Sequence, residues 1–198
     1  MAVIDYGAGN LFSMECALKK LGLDTSVSST SRGLRGVDAV VLPGVGNFKA
    51  ASQNLRPLRH EMARLVQEGI PLLGVCLGMQ LFFQASEEGP GEGLGLLEGR
   101  VLRMPEYVKT PQMGWNTLRI ARRSDILDGI DDRDYFYFVH SYFPSPVDEH
   151  VIVAETEYGL SFPSVVADGN IYGTQFHPEK SGKPGEQILR NFARIIKR

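Results

Sequence analysis

The chain has 198 residues and a mass of 21.9 kDa, enough for one domain with a sizeable core, and residues 1–198 are read as a single domain. A formal net charge of −2 gives no electrostatic reason to expect nucleic acid or an anionic membrane as a partner. Two cysteines, Cys16 and Cys76, make no disulfide framework and no Cys/His metal spacing, and a working thiol suits the reducing cytoplasm.

Met1 to Tyr6 reaches Asp5 too early for a secretion signal. Ala2 to Ile4 reads as a short apolar strand, followed by Asp5-Tyr6-Gly7-Ala8-Gly9-Asn10 and a helical pattern with Leu11, Met14, Leu18 and Leu21 on one face. The two glycines of this turn do not complete the dinucleotide fingerprint Gly-x-Gly-x-x-Gly. Cys16 lies in the helix without flanking glycines and is assigned to core packing.

Asp24 to Ser28 reads as a strand, and Ala39 to Leu42 as another, ending in Pro43-Gly44-Val45-Gly46-Asn47-Phe48. Glycines on both sides of Val45 let backbone N–H groups face outward where a side chain would block them. Pro57 divides the next helical stretch, in which Leu58, Met62, Leu65 and Val66 share a face before Gly69 and Pro71 stop it.

The stretch from Leu72 to Phe83 carries the chemistry. Leu72, Leu73 and Val75 read as a buried strand and Gly78 to Phe83 as the start of a helix, so Cys76 falls at the junction. Pro71, Gly74, Gly78 and Gln80 break the run too often for a transmembrane span. Glycines two residues before and after Cys76 match the spacing with which a Gly-x-Ser-x-Gly elbow makes room for a nucleophile on a strained turn. A thiol at a helix N-terminus ionises more readily, and the thiolate is the attacking species. If the Ala39–Leu42 strand runs parallel beside this one, the N–H groups of Val45 and Leu77 become candidate oxyanion donors.

The order β-α-β-α-β-α with short links predicts an α/β fold with a mostly parallel central sheet flanked by helices. The second half changes character. Gly89 to Gly95 is a glycine-rich loop, and Gly99–Met104, Asn116–Ile120, Tyr135–Tyr142, Val151–Glu155 and Pro163–Ala167 read as antiparallel strands, added to the first sheet or forming a small second one. Ile171 to Phe176 is the last strand and runs into His177-Pro178-Glu179. Residues i and i+2 of an extended segment point the same way, so His177 and Glu179 could aim at one site as proton carrier and orienter. His60 and His150 lie in polar surroundings and read as solvated, and His140 as a core-edge or pocket residue. Residues from Pro184 on form a closing helix with Ile188, Leu189, Phe192, Ile195 and Ile196 on one face and Arg194, Lys197 and Arg198 at its negative end.

Cysteine elbow, N–H loop and histidine with carboxylate together fit acyl transfer through a thioester. Gly74-Val75-Cys76-Leu77-Gly78-Met79-Gln80 with His177-Pro178-Glu179 resembles the class I, or triad, glutamine amidotransferases. Ile4 to Leu11, Pro43 to Phe48, Gln112-Met113-Gly114-Trp115-Asn116 and Phe138 to Tyr142 narrow the resemblance to the glutaminase subunits of imidazole glycerol phosphate synthases, from histidine biosynthesis. It spans nearly the whole chain, with no departure at a triad position.

The resemblance implies Cys76 as nucleophile, His177 as acid/base and Glu179 as its orienter, with Val45 and Leu77 supplying oxyanion N–H groups. It implies Gly46, Gln80, Ser141 and Tyr142 at the glutamine, and no cofactor or metal. It also implies a heterodimer with a (β/α)8-barrel cyclase subunit that receives ammonia through its interior, with Met113, Trp115 and Asn116 near the interface. The chain has no room for a synthase domain of its own, so low activity without the partner is expected, with Gly44 to Gly46 as the element that changes. The competing readings are a glutaminase for another acceptor synthase, a cysteine peptidase or DJ-1-like hydrolase, and a binding module that lost its chemistry. Gln80 with Phe138 to Tyr142 fits a small amino-acid pocket better than a peptide cleft, and the presence of Cys76, His177 and Glu179 together disfavours the binding module.

Overall fold

The structure, a computed structural model, describes residues 1–197; Arg198 lies outside them. The first half runs β1 (Ala2–Ile4), α1 (Leu11–Lys20), β2 (Ser26–Ser28), β3 (Val40–Gly44), α2 (Phe48–Leu55), α3 (Arg59–Gln67), β4 (Leu72–Cys76) and α4 (Leu77–Gln80). The second half runs β5 (Ala85–Ser86), β6 (Gly99–Arg103), β7 (Gln112–Thr117), β8 (Arg119–Ile120), β9 (Tyr135–His140), β10 (Tyr142–Pro146), β11 (Ile152–Glu157), β12 (Ser161–Asp168), β13 (Ile171–Thr174) and α5 (Gly182–Ile196).

The main sheet has eight strands in the order β2-β1-β3-β4-β13-β12-β11-β8. The first five of these are parallel, and β12, β11 and β8 extend the sheet antiparallel. β10-β6-β5 forms a small second sheet, and β7 pairs antiparallel with β9. The expected α/β class and the antiparallel second half are both present. No described helix is long and apolar enough to cross a membrane.

Side chains alternate across the pleat, so the parallel strands feed two cores. Ile4, Val40, Leu42 and Leu72 face one side, where Leu55, Met62 and Leu65 of α2 and α3 cover them. Val3, Val41, Leu73 and Val75 face the other, covered by Met14 and Leu18 of α1 and by Ile188, Leu189 and Phe192 of α5. Each such fully buried side chain is worth about 1.5–3 kcal/mol, so α5 is held by its apolar face rather than by helix propensity. Asn10 and Asn47 cap α1 and α2 by accepting from the N–H groups of Ser13 and Ala50.

The structure corrects four local expectations. The helix expected over Gly78 to Phe83 is a single turn, because the carbonyls of Leu81 and Phe82 accept from Leu94 and Leu96 instead of from a next helical turn. The strand expected over Tyr135 to Tyr142 is broken at Ser141, where the chain leaves β7 and pairs with β6, and the Ser141 carbonyl accepts from Met104. The strand expected over Asn116–Ile120 begins at Gln112 and is interrupted between β7 and β8. Cys16 is only half-buried, on the edge of α1 rather than in the core.

Candidate active site

Cys76 ends β4 and faces Gly44 across the β3–β4 register. Its φ of 55° and ψ of −112° make it the only described non-glycine residue with positive φ, the strained turn that lifts a nucleophile off the end of a strand. The surrounding packing enforces that turn. A Cβ on Gly78 would stand 1.8 Å from the Leu42 carbonyl oxygen, and one on Gly74 would stand 2.4 Å from the Phe82 ring. The flanking glycines are therefore a steric requirement, as their spacing suggested. Leu77 opens α4, so its N–H has no partner within the helix.

β13 lies beside β4, with Thr174 opposite Val75, and this brings His177 out at the same sheet edge as Cys76. The His177 N–H donates to the Tyr137 carbonyl at 2.9 Å, and its carbonyl accepts from the Ser181 hydroxyl at 2.6 Å. Its Nδ1 lies 2.8 Å from Glu179 Oε1, with both side chains almost wholly buried. The two meet by a route other than the extended segment expected, because Pro178–Lys180 is a 3-10 turn that folds Glu179 back onto the ring. With Nδ1–H donating to the carboxylate, the tautomer is fixed and Nε2 is left free for chemistry. Nε2 is buried and meets no partner at hydrogen-bond geometry, although Cys76 is near enough to act on the ring. Burial alone would lower the His177 pKa. Hydrogen bonding and charge from Cys76 and Glu179 outweigh burial and raise it to about 10, so the imidazolium is favoured near neutrality.

Cys76 opens into a cavity of about 300 Å³ whose wall includes Val45, Gly46, Leu77, Gln80, Ser141 and Tyr142. All the oxyanion and glutamine-binding candidates thus gather around the sulfur. Gln80 donates through Nε2 to the Tyr142 carbonyl at 2.9 Å and to Gln175 Oε1 at 3.1 Å, which leaves its own Oε1 as an acceptor. Four contributors were not legible in the sequence. Glu88 reaches the cavity and accepts from the Phe48 N–H at the start of α2. Gln175, fully buried, donates from Nε2 to Cys76 Sγ at 3.6 Å. Tyr6 donates to the Pro43 carbonyl at 2.7 Å, and its burial, with Cys76 nearby, pushes the phenol well above its ordinary range, so it remains a neutral donor. Gln112 packs its amide against His140 Nε2 at 3.1 Å. A polar residue inside an apolar strand run was the one available signal, and it marks Gln175.

His140, left open between core edge and pocket, is both: it is buried, and it reaches the cavity wall. Burial pushes its pKa down to about 4 against the pull of its bond to the Tyr142 carbonyl, so the ring is neutral. Its Nδ1 donates to that carbonyl at 2.8 Å, and its Nε2 lies 3.1 Å from Gln112 Oε1. His60 and His150 are exposed, as expected. Met113 and Trp115 project from β7 with side chains 65% and 55% exposed, while Asn116 is tied to the Glu157 carbonyl at 2.9 Å. No group of described His, Cys, Asp or Glu residues is arranged to hold a metal.

A cysteine elbow at the end of β4, with a histidine–carboxylate pair just beyond the end of β13, is an arrangement suited to thiol-dependent acyl transfer. The chain belongs to the class-I glutamine amidotransferase family, whose model matches residues 2–196. Among curated relatives, imidazole glycerol phosphate synthase subunit HisH of Methanothermobacter thermautotrophicus is 48% identical over 198 residues, covering all of this chain and 99% of that protein. The subunit of the same name from Geobacillus thermodenitrificans is 49% identical over 205 residues, covering 99% of this chain and 96% of that protein. Among solved structures, a glutamine amidotransferase aligns over 100% of this chain and 99% of its own with a TM-score of 0.80 at 22% identity. The PurLQS structure from Thermotoga maritima aligns over 98% and 96% with a TM-score of 0.80 at 18% identity, and both likenesses speak to the fold.

Proposed function

We propose that this chain is the glutaminase subunit of an imidazole glycerol phosphate synthase. In this reading residues 1–198 form one cytoplasmic glutaminase domain that pairs with a (β/α)8-barrel cyclase subunit and hands it ammonia. The observation that carries the chemistry is the thiol at positive φ beside an imidazole whose Nδ1 is held 2.8 Å from a buried carboxylate.

The proton of the Cys76 thiol passes to His177 Nε2, and the thiolate is the attacking species. The thiolate attacks the side-chain amide carbon of glutamine, and the carbonyl oxygen takes the displaced electron pair as an oxyanion, met by the N–H groups of Val45 and Leu77. Collapse of the adduct breaks the C–N bond; His177 Nε2–H gives its proton to the leaving nitrogen, and ammonia departs from a thioester. Neutral His177 then takes a proton from water as the water attacks the thioester, and a second collapse releases glutamate and the thiolate. Glu179 holds the ring and steadies the imidazolium throughout.

The cavity suits free glutamine. The unengaged Oε1 of Gln80 and the Glu88 carboxylate are acceptors for an α-ammonium, and Gly46, Ser141 and Tyr142 offer backbone to the α-carboxylate end. The half-exposed Met113 and Trp115 supply the apolar and aromatic surface with which interfaces are anchored. The test is glutamine hydrolysis with and without a barrel cyclase and its nucleotide substrate. Low activity alone, a large rise in the complex and transfer of ammonia to the cyclase product are expected, and Cys76→Ala should be inactive. Ammonia released by Cys76→Ala would overturn the mechanism, and full activity in the lone subunit would overturn the dependence on a partner.

A further inference from the structure

One buried amide touches both the nucleophile and the residue next to the substrate. Gln175 follows β13, is fully buried, and is anchored by its N–H to the Ser164 carbonyl at 2.8 Å. Its side chain bridges two groups: Nε2 donates to Cys76 Sγ at 3.6 Å and Oε1 accepts from Gln80 Nε2 at 3.1 Å.

The polarity of this bridge is determined from its far end. The Tyr142 carbonyl can only accept, so Gln80 turns its NH2 towards it at 2.9 Å. The same NH2 is then presented to Gln175, which must answer with oxygen, because the opposite orientation would set two NH2 groups against each other. Gln175 is therefore left with its own NH2 directed at the sulfur. A buried amide committed to a single orientation by a backbone carbonyl is a preorganised donor.

We propose that Gln175 stabilises the Cys76 thiolate and couples it to Gln80, so that one side chain positions the nucleophile and the substrate-reading amide together. A donor facing sulfur is most useful when sulfur carries charge. That is so once the thiol, which donates to the Val139 carbonyl at 3.8 Å, has given up its proton, and again when the thioester breaks and the thiolate departs, whereas in the neutral thioester the bond weakens. Gln175 thus favours release of the acyl group from sulfur. The role in binding rests on the glutaminase reading above; the contact with sulfur does not.

The experiment is the pH dependence of Cys76 alkylation by iodoacetamide in a Cys16→Ser background, so that one thiol reports. Gln175→Met keeps the bulk and removes donor and acceptor; Gln175→Asn keeps an amide but withdraws it by one methylene. Loss of one hydrogen bond to a charged group should move the midpoint of the alkylation curve up by about one pH unit in Gln175→Met. A smaller rise is expected in Gln175→Asn. In the complex with cyclase, kcat should fall about tenfold and the KM for glutamine should rise, because Gln80 loses its partner. A merely structural role would lower the melting temperature without moving the alkylation midpoint. An unmoved midpoint in a folded variant would overturn the proposal, and Gln175→Asn decides if Gln175→Met fails to fold. A wild-type complex without glutaminase activity would overturn the function proposed above, while the alkylation curve would still decide the role of Gln175.

Discussion

Replacing Glu179 with Gln isolates the charge behind His177. The two side chains are 2% and 3% exposed and 2.8 Å apart, so solvent screens the carboxylate little. A hydrogen bond to a charged group is worth about 1.5–3 kcal/mol against about 1 kcal/mol for a neutral one, so the substitution removes on the order of 1 kcal/mol, or roughly one pKa unit. Burial, which pulls the ring down, is then less opposed, and the His177 pKa falls from its raised value. The alkaline limb of kcat/KM, which reports the protonated acid needed to expel ammonia, should move to lower pH. Activity should drop by about 10²- to 10⁴-fold, more if the amide turns its NH2 to Nδ1 and selects the wrong tautomer. Stability follows the same sign. Because the folded pKa lies above the unfolded one, this contribution is complete below the unfolded value and is lost as pH rises through about 10. The Gln variant should accordingly lose less stability than wild type between neutral and alkaline pH. The measurements are pH profiles of glutamine hydrolysis in the complex and denaturant melts at matched pH. An alkaline limb that stays in place or moves upward would refute the reasoning.

Gly78→Ala should cost about 3 kcal/mol or more in denaturant unfolding, because its Cβ would stand 1.8 Å from a backbone oxygen, and glutaminase activity should fall by about 10²-fold as the elbow shifts; wild-type stability would contradict this packing. Tyr6→Phe leaves the Pro43 carbonyl without its 2.7 Å donor and should cost about 1–3 kcal/mol, with kcat reduced and glutamine KM nearly unchanged, as read by melts and steady-state kinetics. Trp115→Ala should weaken cyclase binding by about 2 kcal/mol in calorimetric titration. The same change should cost the isolated chain only about 1 kcal/mol, the edge-on contact with Tyr137 being its one ring partner. Unchanged affinity would remove Trp115 from the interface.

Local periodicity revealed the parallel half of the fold, because buried strands such as Val40–Gly44 and Leu72–Cys76 and apolar helix faces such as that of α5 write their burial into consecutive residues. Cys76 was legible for a similar reason: two glycines at fixed spacing are what a strained turn beneath a packed backbone oxygen demands. The second half resisted, since a strand that changes partner at Ser141 keeps one apolar pattern while its hydrogen bonds change sheets. His177 and Glu179 were found for a partly mistaken reason, with a 3-10 turn doing what extended geometry was expected to do. Tyr6, Glu88 and Gln175 stayed hidden because each acts over a long loop in sequence. Their partners Pro43, Phe48 and Cys76 lie 37, 40 and 99 residues away, and no local pattern encodes such pairings.

The same contacts locate where a gate can work under the proposed function. Gly44 was grouped with Val45 and Gly46 as the changeable element, but a Cβ there would lie 2.5 Å from the Tyr6 hydroxyl and 2.6 Å from the Gly78 nitrogen. Gly44 therefore has no room for a side chain above the floor that also carries Cys76. Gly46, at φ 124°, has nothing within 4 Å of its Cβ position, and the Val45 side chain is 38% exposed. Open space therefore begins at Val45 and Gly46, two and three residues beyond the Pro43 carbonyl that Tyr6 holds. Under the proposed function, a partner that covers Val45 would favour one orientation of its N–H through rotation about Gly44 and Val45, and association would then act on the oxyanion donor while the thiol and its histidine stay in place.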